Sequence, residues 1–277
     1  MPYCQREDDK ERGPASVVTQ SGRSQGEMPN VSSSARASQR LTRLVDVRAV
    51  DWITPRMKRV RLGGESLRGF APTVPAQWVK LFVPVDEGMA ETGRVYTITN
   101  FSPERCEFVL DFVVHGDGPA SSWAQKASIG ERVKIAGPRA GYTRRADSRW
   151  VLLFGDETAI PAISSILASL PSDIYARSFI EVAEPSDDRA FSSNYRWPFS
   201  HLVWLHRGNT AAGTSRLLAE AAGAAELPPG PGEVWVAAEA HAVQEIKKHF
   251  LEERGLSRFR VHASGYWKYG VPDHRNV

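Results

Sequence analysis

Apolar and polar residues are distributed in two different ways along this chain, and the change falls near residue 149. Before it, apolar positions come in short runs broken by proline, glycine and charge. Leu44, Val47 and Val50, then Met57, Val60 and Leu62, mark two strands around a turn at Thr54-Pro55. "WVKLFVP" (78–84), "GRVYTITNFSP" (93–103), "CEFVLDFVVH" (106–115) and "ERVKIAGP" (131–138) read as four more strands, rich in β-branched and aromatic residues. Between the last two, "GPASSWAQKA" reads as a short helix with Pro119 as its first residue. Short strands, Pro/Gly turns and one helix predict an antiparallel barrel.

After residue 149 the runs lengthen. "WVLLFG" (150–155) is apolar throughout and ends in glycine, as a strand covered on both faces would be. Helix "TAIPAISSILASL", strand "RSFIEVAE", strand "HLVWLHR", helix "TSRLLAEAAG", strand "EVWVAAEA", helix "AVQEIKKHFLEERG" and strand "RFRVHASG" follow. Strands alternating with helices predict a doubly wound parallel sheet. The fold class is therefore two-domain, β plus α/β. Residues 40–147 form an antiparallel β-barrel, and 148–277 form an α/β domain of the NAD(P)-binding type. Residues 1–39 show neither helical nor strand periodicity and are expected to be a disordered tail.

Composition narrows the class without naming a function. Among 277 residues, 35 basic and 32 acidic side chains leave a net charge of only +3, against a nucleic-acid binder. Cys4 and Cys106 lie far apart and form neither a disulfide framework nor a metal motif, which fits a reducing compartment. No apolar run approaches the ~20 residues of a membrane span, and the N-terminus lacks a signal-like apolar core. A cytoplasmic monomer with no membrane insertion is expected. His201, His206, His241, His249, His262 and His274 are scattered, so no metal site and no catalytic triad are read.

Two stretches carry more polar chemistry than packing requires. In the 93–103 strand, Arg94 and Tyr96 share a face and Thr97 takes the other. Arginine offers a planar fork for a pyrophosphate, tyrosine a surface for a ring or a ribityl hydroxyl, and threonine a hydroxyl beside a backbone N–H. An exposed arginine and a packed tyrosine on a sheet edge read equally well. In "DFVVHGDGPASSWA" (111–124), His115 ends a strand, and Gly116 and Gly118 allow a tight turn. Pro119, Ala120, Ser121 and Ser122 open a helix there. Free N–H groups at a helix start make an anion site, although the serines can equally be caps.

With "KIAGPRAGY", "LLFGDETAIPAI" and the terminal "ASGYWKYG", these stretches resemble the siderophore-interacting protein family, a branch of the ferredoxin–NADP reductase-like flavoproteins, from about residue 40 to about 272. The resemblance implies bound FAD. Arg94, Tyr96 and Thr97 match the family's flavin strand. His115, Ala120, Ser121, Ser122 and Trp123 match its phosphate loop and following helix. On that reading Arg94 meets the phosphates, Thr97 the N5 edge, and Tyr96 the ribityl chain or ring. The resemblance also implies reduction of a ferric siderophore, Fe(III) to Fe(II), with electrons from NADPH, NADH or reduced ferredoxin. Flavin reduction of another acceptor, or non-catalytic siderophore binding, remain as alternatives.

The nucleotide side departs from the superfamily pattern. Only Gly155 stands where a glycine-rich turn is expected, followed by Asp156, Glu157 and Thr158, and Ala238 replaces a common glycine before Glu239. The carboxylates can meet ribose hydroxyls or cap helices, and Glu239 can face a nicotinamide or start a helix. Arg207 is an available candidate for a 2′-phosphate, or an isolated surface arginine. Tyr266 and Trp267 can shield the flavin or pack the interface. Lys80, Arg139 and Lys268 are expected to form a cationic rim for a bulky anionic siderophore complex.

Overall fold

The structure, a computed structural model, describes residues 42–83, 92–114, 118–191 and 200–271. The expected tail, His115 and His274 lie outside these residues.

The first sheet holds seven strands: β1 (Thr42–Thr54), β2 (Met57–Gly63), β3 (Trp78–Val83), β4 (Thr92–Thr97), β5 (Thr99–Ser102), β6 (Glu107–Val113) and β7 (Arg132–Arg139). Their order is β4-β3-β7-β1-β2-β6-β5, and every pairing is antiparallel. The stretch expected as one strand over 93–103 is two. It breaks at Ile98, whose side chain is buried and whose N–H donates to the Gln77 carbonyl at 2.8 Å. β4 and β5 lie at opposite ends of the strand order yet are joined through this one residue, so the sheet must curl round to bring its edges together. Asn100, at φ 46°, completes the corner.

Alternation along the strands fills the barrel. Val79, Leu81 and Val83 of β3, Val60 and Leu62 of β2, and Phe108, Leu110 and Phe112 of β6 all point inward and are fully buried. Each contributes ~1.5–3 kcal/mol relative to exposure. Helix α1 (Pro119–Lys126) stops one end of the barrel with Ala120, Trp123 and Ala124.

The second sheet is five-stranded and parallel, in the order β10-β9-β8-β11-β12. Its strands are β8 (Trp150–Asp156), β9 (Tyr175–Val182), β10 (Ser200–His206), β11 (Gly232–Glu239) and β12 (Val261–Trp267). β8 and β11 are buried at every position, because helices cover both faces. α2 (Ile160–Ser169) packs on one face, and α3 (Leu217–Ala224) with α4 (Ala240–Lys248) on the other. A π-helical turn, His249–Glu253, replaces the end of the expected long helix. β12 runs on past the expected glycine, so Tyr266 and Trp267 belong to the strand. From β8 the chain winds outward to β9 and β10, then returns to β11 on the other side. The topological switch point therefore lies between β8 and β11.

The two sheets are held to each other directly. Arg56, in the β1–β2 turn, pairs with Glu184 and Asp187 at 3.0 Å each, and Met57 is buried in the core beneath α2. Ala76 N–H donates to Ser165 Oγ of α2 at 3.1 Å.

Candidate functional site

β4 is the hub. Arg94 and Tyr96 lie opposite Leu81 and Val79 of β3 and so share one face. The Tyr96 ring sits 4.2 Å from that of Phe112, which in turn lies 5.5 Å from Trp123 of α1. Burial pushes the Tyr96 phenol above its usual range, only partly offset by the Arg94 charge. α1 packs against β4 as well as β2, β3 and β6, so the arginine strand and the helix start are neighbours. The helix begins at Gly118, which has no side chain to cap it, and Pro119 follows at the first position. Ser121 is buried and Ser122 half-buried. Ala120 and Trp123 do not present side chains to a ligand. Both are buried in the barrel core, and the Trp123 indole donates to Glu131 at 2.5 Å. What they can offer the expected cofactor is their backbone at the helix start.

Thr97 faces the other way, beside Trp78, and is buried. Tyr266 of β12 lies close enough to Thr97 to feel it, which brings the end of the parallel sheet beside β4. Burial pushes the Tyr266 phenol up to about 12, with the nearby Thr97 opposing and the Asp156 charge adding to it. A cleft of about 350 Å³ opens beside the β4–β5 corner, lined by Ile98, Thr99, Asn100 and Gln77 and by Ser164 and Ser165 of α2.

The outer face of β3 and β7 collects cations. Lys80 and Lys134 both lie over the Phe82 ring, at 5.4 and 5.0 Å, and Arg139 lies 5.9 Å over Trp78. Lys134 was not among the expected rim residues. The alternation in "RVKIAGP", which pairs it with Phe82, is the signal that identifies it. Lys268 is half-buried in the bridge to Val271, one residue beyond Trp267.

At the switch point the side chains are engaged with one another. Asp156 ends β8, is 5% exposed, and accepts from Thr158 N–H at 2.9 Å and from Thr158 Oγ1. Its other oxygen accepts the Trp267 indole N–H at 2.7 Å. Burial, reinforced by the neighbouring Glu157 charge, pushes Asp156 up to about 7 against these hydrogen bonds. Glu239 takes the helix-starting role. Its carboxylate caps α4 through His241 and Ala242 N–H and also accepts Tyr269 N–H at 3.1 Å. Gly155 is required by packing, since a Cβ there would lie 2.5 Å from Ala159 Cβ and 3.0 Å from the Ala237 carbonyl. Arg207 is unavailable to a 2′-phosphate, which corrects the expectation. It forms a bidentate pair with Glu157, lies 3.8 Å from Glu181, and its side chain is 6% exposed.

The donor set on β4 and α1 fits FAD: a guanidinium and a helix start for the pyrophosphate, an aromatic ring and a hydroxyl for the flavin. The switch-point set does not fit a nicotinamide dinucleotide, because it presents carboxylates and an indole where a phosphate cradle and an open ring slot are needed.

Comparison with known proteins agrees with the barrel assignment. Residues 46–92 and 85–142 match the siderophore-interacting FAD-binding domain, and residues 148–270 match the siderophore-interacting protein domain. The chain is 31% identical to ferric acinetobactin reductase of Acinetobacter baumannii, over 79% of this chain and 76% of that one. It is 29% identical to ferric vibriobactin reductase of Vibrio cholerae, over 82% and 90%. The crystal structure of a siderophore utilization protein from T. fusca superposes with a TM-score of 0.76 at 33% identity, covering 85% of this chain and 95% of that one.

Proposed function

The chain belongs to the siderophore-interacting protein family, and on that premise we propose that it is an FAD-dependent reductase of ferric siderophores. The observation that carries this reading is the meeting of three elements at β4. The strand brings Arg94 and Tyr96, α1 packs against it, and β12 brings Tyr266 close to Thr97 on its other face.

FAD, when bound, accepts electrons in a pair and passes them singly to Fe(III). The protein's part is to hold and to orient. Arg94 and the α1 N-terminus are assigned to the pyrophosphate, whose negative charge they offset. Tyr96 backs the flavin, and its buried phenol stays protonated at any physiological pH. Thr97, with Tyr266 beside it, is assigned to present its hydroxyl and N–H to the ring edge. No general acid is needed, because each iron centre gains one electron and forms no new bond. Once reduced, Fe(II) is held less tightly by hard oxygen ligands and leaves the chelator. Lys80, Lys134 and Arg139, together with Lys268, are assigned to the anionic complex. A charged face there raises its local concentration and arrival rate.

The electron source is read as a donor delivering to the flavin, with NADH, NADPH and reduced ferredoxin as the candidates; either nicotinamide would have to displace the side chains that fill the switch point. The division into a flavin barrel ending near residue 147 and an α/β domain beyond it is part of the same proposal. The test is direct. The purified protein should carry FAD absorbance, and with its flavin pre-reduced anaerobically it should convert a ferric siderophore to a ferrous product trapped by a chelating dye. Protein that takes up no FAD, or whose reduced flavin stays reduced on adding ferric siderophores, overturns the assignment.

A further inference from the structure

In an open α/β sheet the ligand crevice lies beyond the carboxyl ends of the strands at the switch point. Here that is the space above β8 and β11, and the chain's own C-terminal segment is seated in it. The Trp267 indole N–H is bonded to Asp156 at the end of β8. The indole ring rests on Gly213, where a Cβ would lie 2.7 Å from the ring and 2.9 Å from Cγ of Glu239. Gly213 also holds φ at +78°, so both backbone and contact call for glycine. Tyr269 N–H is bonded to Glu239 at the end of β11. Tyr266, one residue before the indole, lies near Thr97. Residues 267–269 are therefore stitched to both strands that flank the switch point.

We propose that Trp267, held by Asp156 and seated on Gly213, plugs the switch-point crevice and keeps nicotinamide dinucleotides out of it, with Asp156 as the positioning residue. The inference rests on the flavin reading above and specifies its donor side. Two physical effects act together. The indole occupies the slot a nicotinamide ring would need. The buried carboxylates of Asp156 and Glu239 end β8 and β11, the two strands that flank the crevice, and the nearby Arg207 is already committed to Glu157 and Glu181. A dinucleotide would have to break the indole–carboxylate bond and swing the indole off Gly213. The Trp267 backbone stays paired with β11 at Glu239, so the plug is the half-buried indole side chain and not the segment.

Equilibrium binding of NAD+ and of NADP+ to the FAD-loaded protein, followed by calorimetry, tests this. Truncation by Trp267→Ala should tighten at least one nucleotide by ~10-fold or more, equivalent to ~1.4 kcal/mol. Asp156→Ala should also tighten it, and Asp156→Asn, which keeps an oxygen to accept the indole N–H, should do so less. If the alanine variant at 267 loses its fold or its FAD, Trp267→Phe, which removes the N–H and shrinks the ring, should still give a several-fold gain. Wild-type affinity equal to that of the truncated variants, whether both are tight or both immeasurable, overturns the plug. Equal gains for Asp156→Ala and Asp156→Asn overturn the positioning role of the carboxylate. Chelate reduction by pre-reduced flavin is measured separately on the wild type, so loss of the flavin reading is distinguishable from loss of the plug.

Discussion

Replacing Glu233 by glutamine should destabilise the protein by a pH-dependent amount that the structure fixes in sign. Glu233 starts the inner run of β11 and is fully buried. Burial alone would push its carboxyl up. Hydrogen bonds from His262 at 2.9 Å, from Ser148 and from Arg145 N–H at 2.7 Å outweigh that, with the His262 charge, and hold it down at about 2. Tyr142 donates a further bond at 3.2 Å. Because the folded value lies below the ordinary 4.5, ionised Glu233 favours the folded state above pH 4.5, and that contribution is lost as pH falls toward 2. The difference corresponds to ~3 kcal/mol at pH 7, falling to ~2 kcal/mol at pH 3.5. Glutamine keeps the shape and one accepting oxygen, but turns an N–H₂ toward two of the four donors. Urea unfolding of wild type and Glu233→Gln at pH 7, 5 and 3.5 reads the effect. A gap of ~3 kcal/mol at neutral pH, corresponding to ~6–12 °C in Tm, should narrow at the lowest pH. A gap below ~1 kcal/mol at pH 7, or one that does not change with pH, refutes the reasoning.

Gly155→Ala should cost ~1–3 kcal/mol in thermal unfolding with FAD content unchanged, since the added methyl meets Ala159, Ile163 of α2 and the Ala237 carbonyl of β11. A variant as stable as wild type would show that the space is open. Lys80→Glu combined with Lys134→Glu should raise the KM for an anionic ferric siderophore by ~10-fold or more, weaken its salt dependence, and leave the flavin spectrum intact. Unchanged kinetics would remove this face from the acceptor site. Asp156 has the opposite linkage to Glu233. Its folded value is raised from 3.8 to about 7, so the stability it contributes is present below pH 3.8 and is lost as pH rises through 7. Asp156→Asn should flatten the decline in unfolding free energy over that window, and an unaltered pH profile would count against burial as the cause.

The sequence made the architecture readable because each sheet writes its own period. Short alternating runs such as "WVKLFV" mark a barrel with one wet face, and the unbroken "WVLLFG" marks a strand covered on both sides. Arg94, Tyr96 and Thr97 were legible for the same reason: two-residue alternation tells which side chains share a face. The corner at Ile98 was not legible. "TITNF" is uninterrupted β-branched and aromatic chain, and only closure of the barrel, with Ile98 buried beneath Gln77, decides that it breaks. The fate of Arg207 was equally hidden. Its partner Glu157 is fifty positions away and becomes a neighbour only through the parallel order of β8, β9 and β10. The Glu233 cluster draws on residues 142, 145, 148 and 262, a set no local pattern assembles.

Two buried carboxylates on the same sheet then show why one end is suited to function and the other to stability. Glu233, toward the amino ends of the strands, receives four donors and is held well below the usual carboxylate range. Asp156, at the carboxyl end of β8, receives three, two of them from Thr158 alone, and it stands beside the like charge of Glu157. Desolvation opposes ionisation at both sites, so donor number and the neighbouring charge decide the direction. The arrangement at Asp156 is therefore the less stable one, and one of its three bonds goes to Trp267, at the end of β12. A destabilised carboxyl at strand ends is what the proposed plug would draw on. The same reasoning locates the donor question at Trp267 and away from the phosphate-loop glycines the superfamily pattern would suggest.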